Sequence, residues 1–238
     1  MFQNLPVVTK NLIIINIILF IASQAMPDLQ VWLSGFYIQG GYFKPWQIVT
    51  HMFMHANVGH IFMNMFALYM FGSALEMQWG AKRFLNYYLL CGLGAFGLHE
   101  FIHYMEVTKL MAALPPEQLQ DVILNGFDAV KQGMNFTNVE MARLNEAINV
   151  SSVVGASGCV FGLLTGYGVL YPNRQLMLLF PPMPIKAKWL VIGYGAIELL
   201  QAFQNNPSDN VAHFAHLGGM VIGYVILKIW QSQGKLYS

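Results

Sequence analysis

The sequence predicts an all-α, polytopic membrane protein with six membrane-spanning helices. Three observations carry that expectation. Of 238 residues, 56% are hydrophobic and 10% charged, whereas a soluble domain has about 25% charged residues. Charge-free, largely apolar runs occur at 11–27, 45–75, 84–99, 147–173 and 210–227, several of them near or beyond the roughly 20 residues that cross a bilayer. The basic residues also divide unequally between alternate connections, as membrane orientation requires.

The first span, 10–27, starts at Lys10 and reads "NLIIINIILFIASQAM". No small-residue cleavage site follows it, so it is expected to be a membrane helix rather than a signal peptide. No Arg- and Ser-rich leader precedes it, which favours a bacterial envelope. The remaining spans are expected at 56–76, 84–105, 154–172, 188–205 and 211–230, the fifth interrupted by Glu198. With the N-terminus inside, the inner segments carry eight basic residues: Lys10, Lys82, Arg83, Arg174, Lys186, Lys188, Lys228 and Lys235. The outer segments carry four, Lys44, Lys109, Lys131 and Arg143. Both termini are therefore expected in the cytoplasm.

The segment 107–152 is polar and holds Glu117, Asp121, Asp128, Glu140 and Glu146. "PPEQLQDVILNG" reads as a short helix opened by Pro115–Pro116 and stopped by Gly126. "TNVE" has capping-box spacing, Thr137 to Glu140, and should open a second helix. The segment is an outer insertion between spans three and four, too short for a separate domain, and packs as a lid-like loop or touches substrate. Cys91 and Cys159 both fall in apolar runs and read as packing residues, not as a disulfide or metal pair. The net charge of +1 gives no pointer to a nucleic-acid partner.

Polar side chains inside membrane helices are costly and often mark sites. In span two, His60 and Asn64 are four residues apart and share a face. Span four opens "VVGASGCVFGLLTG", with Ser157 between Gly155 and Gly158. Span six reads "VAHFAHLGGMVIGY", with His216 followed by Gly219 and Gly223. At 1.5 Å per residue, His60 lies about 24 Å from Glu76 and Ser157 about 26 Å from Arg174, while His216 lies roughly 9 Å below the outer start of its span. All three fall in the outer third of a core about 30 Å thick. The glycines allow close helix approach, which Ser157 Oγ needs to reach an imidazole at about 2.6–3.2 Å.

On these motifs the chain resembles the rhomboid intramembrane serine proteases over roughly residues 42–230. The carrying residues are His51, His55, His60 and Asn64 in span two, then Gly155, Ser157 and Gly158, then Ala215, His216, Gly219 and Gly223. "GSALEMQWGAKRF", with Glu76, Gly80 and Arg83, is similar to the family's turn after span two. The resemblance implies a six-helix bundle with both ends cytoplasmic, in the inner membrane of a bacterium. It implies Ser157 as nucleophile and His216 as base, a dyad with no third acid. His60, Asn64 and the Ser157 backbone N–H would form the oxyanion hole, and no cofactor or metal is called for. The expected partners are the lipid bilayer and membrane-protein substrates whose helices unwind readily. Two positions depart from the family pattern: Trp46-Gln47 stands for Trp-Arg, and Phe161 for the commoner Tyr that stacks on the base. The insertion is also longer than in the simplest members.

Three other readings compete. "HEFIH", His99 to His103, has the H-E-x-x-H spacing that can hold zinc with Glu100 as general base. It lacks a third ligand, which Asp209 could supply. Otherwise Glu100 and His103 hydrate or pair at the membrane boundary. Glu198, close to mid-bilayer, together with His99, His103, His213 and His216 suggests a proton-coupled transporter, although no inverted repeat is visible; otherwise Glu198 is a protonated, hydrogen-bonded packing residue. A non-catalytic client-binding relative is the third, and the presence of both Ser157 and His216 argues against it.

Overall fold

The computed structural model describes residues 5–177, 182–204 and 212–236. The first helix, α1 (Val7–Ala25), is followed by the short α2 (Asp28–Leu33), the strand β1 (Gly35–Phe36), α3 (Gln47–Thr50) and a 3₁₀ turn (His51–Phe53). A continuous rod follows: α4 (Val58–Ala67), a π-helical segment (Leu68–Gly72) and α5 (Ser73–Trp79). Gly80 then takes φ +78°, a left-handed value that ends α5 and starts α6 (Ala81–Ala113). Two shorter helices follow, α7 (Pro116–Lys131) and α8 (Val139–Asn149). The strand β2 (Ser152–Val153) leads into α9 (Ser157–Leu170), a hairpin of β3 (Gln175–Met177) and β4 (Pro184–Lys186) leads into α10 (Ala187–Gln204), and α11 (His213–Ser232) closes the chain.

By length and composition, three described helices could cross a membrane: α1, the α4–α5 rod and α11. Helix α9 is apolar but only 14 residues long. It forms the centre of the bundle, packed by α6, α11, α10 and the rod, and most of its residues are buried. Apolar side chains such as Ile14, Ile18 and Ile21 of α1 and Ile192, Leu200 and Phe203 of α10 face outward, as a lipid solvent permits.

The third long helix runs to Ala113, past the expected end at 105, because no breaker precedes Leu114-Pro115. Gly126 does not stop α7. It lies inside the helix, where a Cβ would come 2.3 Å from Asn145 Oδ1, so its role is close approach to α8. The cap of α8 is Asn138 rather than Thr137, with Asn138 Oδ1 accepting from the Glu140 and Met141 N–H groups. The insertion buries a small core of its own, Val122, Met141, Leu144 and Ala147, against Val107 of α6 and Tyr37 of the first loop.

Two further ties position the loops. Glu76 accepts from the Val8 and Thr9 backbone N–H groups and the Thr9 hydroxyl, holding the start of α1 to α5. Strands β1 and β2 pair antiparallel, Gly35 with Val153 and Phe36 with Ser152. That pairing fastens the segment entering α9 to the loop between α1 and α4.

Candidate active site

Ser157 is the first residue of α9, so its N–H is one of the amides a helix start leaves without an intrahelical acceptor. His216 lies in the first turn of α11. Its Nε2 is 2.8 Å from Ser157 Oγ, a length at which hydroxyl-to-imidazole proton transfer is direct. The Phe161 ring, one turn along α9, stacks on His216 with centroids 4.3 Å apart and planes 13° from parallel.

Glycines bring these groups together. A Cβ on Gly219 would fall 1.9 Å from Gly158 O, and one on Gly158 would fall 2.3 Å from Ala95 Cβ. A Cβ on Gly223 would meet Tyr87 Oη at 2.6 Å and Gly162 Cα at 3.2 Å. Tyr87 in turn donates to Gly162 O at 2.8 Å. Gly162 was not singled out from sequence, though its place four residues after Gly158 and before Gly166 was a readable signal.

Asn57 caps α4 by accepting from the His60 N–H, which fixes the start of that helix. The His60 ring then lies against Gly155, where a Cβ would come within 2.7 Å of Cε1, 2.8 Å of Nε2 and 3.5 Å of Ser157 Oγ. Gly155 is also held at φ +124°, a value that suits glycine alone. Asn64 is buried, and its Nδ2 donates to His60 O at 3.0 Å, so one amide hydrogen is left for another acceptor. The Gly155 N–H donates to His51 O, and His51 Nδ1 donates to Gln47 O at 2.8 Å.

Gln47 is the hub of the loop between α1 and α4. It is fully buried. Its Nε2 donates to Val31 O, Trp32 O and Tyr42 O, and its Oε1 accepts from the Lys44 and Phe36 N–H groups. A neutral amide therefore organises the loop at the position where the family pattern has arginine.

HEFIH has other work. Glu100 is buried and accepts from the Ile38 N–H at 3.0 Å. His103 Nε2 donates to Ala147 O at 2.8 Å, and the His99 and His103 rings stack with centroids 5.9 Å apart. The motif pairs with backbone on two sides, and so ties α6 to the first loop and to the end of α8. Asp209, the third zinc ligand considered, lies outside the described residues.

A carboxylate stands at the far nitrogen of His216: Glu198 Oε2 is 2.9 Å from His216 Nδ1 and 2.6 Å from His213 Nδ1. The His213 contact is aligned as a hydrogen bond, while the His216 contact lies off the ring N–H direction. A cavity of about 490 Å³ opens behind this cluster, lined by His99, His103, Arg143, Gln201 and His213; Ser157 is not on its wall.

A profile of the Rhomboid domain matches residues 42–232. The chain is 27% identical over 221 residues to RHOMBOID-like protein 12, mitochondrial, of Arabidopsis thaliana, covering 92% of this chain and 56% of that protein. It is 26% identical over 199 residues to an uncharacterized mitochondrial rhomboid protein of Schizosaccharomyces pombe, covering 76% of this chain and 49% of that one. It is 22% identical over 234 residues to Rhomboid protease GlpG of Yersinia pestis, covering 95% of this chain and 63% of that one. The chain therefore spans between 49% and 63% of the length of these relatives.

Proposed function

The chain belongs to the rhomboid family, and from that premise we propose that it is an intramembrane serine endopeptidase in which Ser157 is the nucleophile and His216 the general base. The observation that carries this reading is the 2.8 Å contact between Ser157 Oγ and His216 Nε2, made across two helices in direct backbone contact. Oγ attacks the scissile carbonyl carbon while its proton passes to Nε2, and the carbonyl electron pair moves onto oxygen. The Ser157 N–H, His60 and the free amide hydrogen of Asn64 receive that oxyanion in a low-dielectric site, where one aimed donor contributes about 3–4 kcal/mol. Collapse breaks the C–N bond, and the departing amine takes the proton from Nε2. Water then releases the acyl group by the same path in reverse.

In this reading six helices span the membrane: α1, the α4–α5 rod, α6, α9, α10 and α11. Both termini are cytoplasmic, and the membrane is the bacterial inner membrane. Helix α9, about 21 Å long at 1.5 Å per residue, starts below the outer face of a core about 30 Å thick, so Ser157 is recessed. The substrates are membrane proteins whose helices unwind readily, since a hydrogen-bonded helix withholds its carbonyls from Ser157.

The test is cleavage of a fluorogenic transmembrane peptide in liposomes. Ser157→Ala and His216→Ala should each abolish it, the pair costing little more than either alone, and a fluorophosphonate should label Ser157. Phenanthroline and Glu100→Gln should leave the rate intact. Cleavage that survives Ser157→Ala and stops with the chelator defeats the proposal.

A further inference from the structure

Of the 18 residues of α10, only Ala187 and Glu198 are buried. A carboxylate buried in an otherwise lipid-facing helix is costly and needs a compensating partner. Glu198 has two. His213 and His216 are three residues apart on α11 and so share a face, and both present Nδ1 to the same carboxylate oxygen, at 2.6 and 2.9 Å. The base therefore has a defined group on each nitrogen: Ser157 Oγ at Nε2 and Glu198 Oε2 at Nδ1. Its remaining neighbours are the Phe161 ring from α9, His213 from its own helix and His60 from α4.

A metal ion held by these three side chains is disfavoured by the spacing. Two ligands of one tetrahedral zinc, each at about 2.0–2.1 Å from the ion, stand about 3.3 Å apart. Oε2 and His213 Nδ1 are 2.6 Å apart, a hydrogen-bond length.

Resting on the protease reading, we propose that Glu198 is a positioning residue that completes a Ser157–His216–Glu198 relay. Its carboxylate, 2.9 Å from Nδ1 though off the ring N–H direction, sets a negative charge beside that nitrogen and so favours the proton there, leaving the Nε2 lone pair toward Ser157. When Nε2 takes the Ser157 proton, the imidazolium that forms faces a fixed negative charge. Glu198 stays ionised throughout. Its proton count never changes, and the only proton that moves is the one shuttled through Nε2. His213 supplies the aligned hydrogen bond that keeps Glu198 ionised and in place between turnovers.

The competing account is that Glu198 only latches α10 against α11. The two accounts predict opposite kinetics. Glu198→Gln keeps the shape of the side chain but removes its charge. A relay requires kcat to fall by about 100-fold or more with KM little changed, and Glu198→Asp to recover part of the loss. A latch requires kcat to hold or rise as the helix loosens, with any change in KM. Wild-type kcat in Glu198→Gln, or Glu198→Asp no better than Glu198→Gln, overturns the proposal. Fold is read from the thermal midpoint in detergent. If Glu198→Gln does not hold its fold, the double variant Glu198→Gln/His213→Leu, which removes the buried carboxylate and its aligned partner together, must show the same loss of kcat, and wild-type kcat there is equally fatal. Ser157→Ala run alongside separates the two levels. Cleavage persisting in Ser157→Ala sinks the protease reading itself, whereas its loss there with full activity in Glu198→Gln sinks only the relay.

Discussion

Gly219→Ala is the sharpest probe of how the bundle assembles its chemistry. The added Cβ would sit 1.9 Å from Gly158 O and 2.8 Å from Gly158 C. Both are backbone atoms, so no rotamer change relieves the clash. Restoring ordinary contact at about 3.4 Å requires α9 and α11 to separate by about 1.5 Å at that point. Gly158 adjoins Ser157, and Gly219 lies one turn after His216, so the separation falls on the reacting pair. Carried rigidly, it lengthens the 2.8 Å Ser157–His216 contact to about 4 Å, outside hydrogen-bond range. A misplacement on the order of 1 Å can lower kcat about 100-fold, and overpacking of this kind costs about 1–3 kcal/mol of stability. The assay is kcat and KM on the liposome substrate, with thermal unfolding in detergent. Gly97→Ala, where an added Cβ meets nothing within 4 Å, is the control and should change neither. Gly223→Ala should fall between, because its nearest obstacle is a side-chain hydroxyl at 2.6 Å and the nearest backbone atom is 3.2 Å away. Wild-type kcat and midpoint in Gly219→Ala would refute the claim that this glycine contact sets the site.

Three further outcomes are expected. Asn64→Ala should lower kcat by about 10²- to 10³-fold with little change in KM, because its donor acts mainly on the developing oxyanion; turnover measured at saturating substrate decides this. Gln47→Ala should destabilise the protein by about 3 kcal/mol or more, since it strands several buried backbone groups at about 1–3 kcal/mol each; Gln47→Glu should be worse, because three of its partners are carbonyls that need a donor. His55, in the loop before α4, is buried with neither ring nitrogen bonded, and burial, reinforced by His60, lowers its pKa to about 4. Below its unfolded value near 6.5 the unfolded chain takes up a proton that the folded chain refuses, so stability falls as pH drops from about 6.5 to 4, by on the order of 1–3 kcal/mol. The fall in thermal midpoint over that range should shrink in His55→Leu.

Much of this protein is local and therefore readable along the chain. Apolar runs set where the helices form, because helix backbone and bilayer each impose their own length and composition. Ser157, His216 and the glycines beside them were legible because each sits in a short pattern whose spacing has a packing meaning. Other roles had no local trace. Glu198 and His216 lie on different helices, and only the rotation of α10 about its own axis aims the carboxylate at Nδ1. Along the chain, Glu198 read as a hydrogen-bonded packing residue or as one member of a proton relay with four histidines, with no pointer to which nitrogen it meets. Gln47 looked like the loss of an arginine, yet the folded loop gives its amide three carbonyls and two N–H groups to satisfy. HEFIH showed the spacing of metal ligands, but the first loop and α8 bring backbone partners to it from 62 and 44 residues away. Gly126 read as a stop and serves as a contact surface. Sequence period records which faces are apolar and where helices begin. Which polar group meets which depends on how helices rotate and pack against one another, and that is decided only when the whole bundle closes.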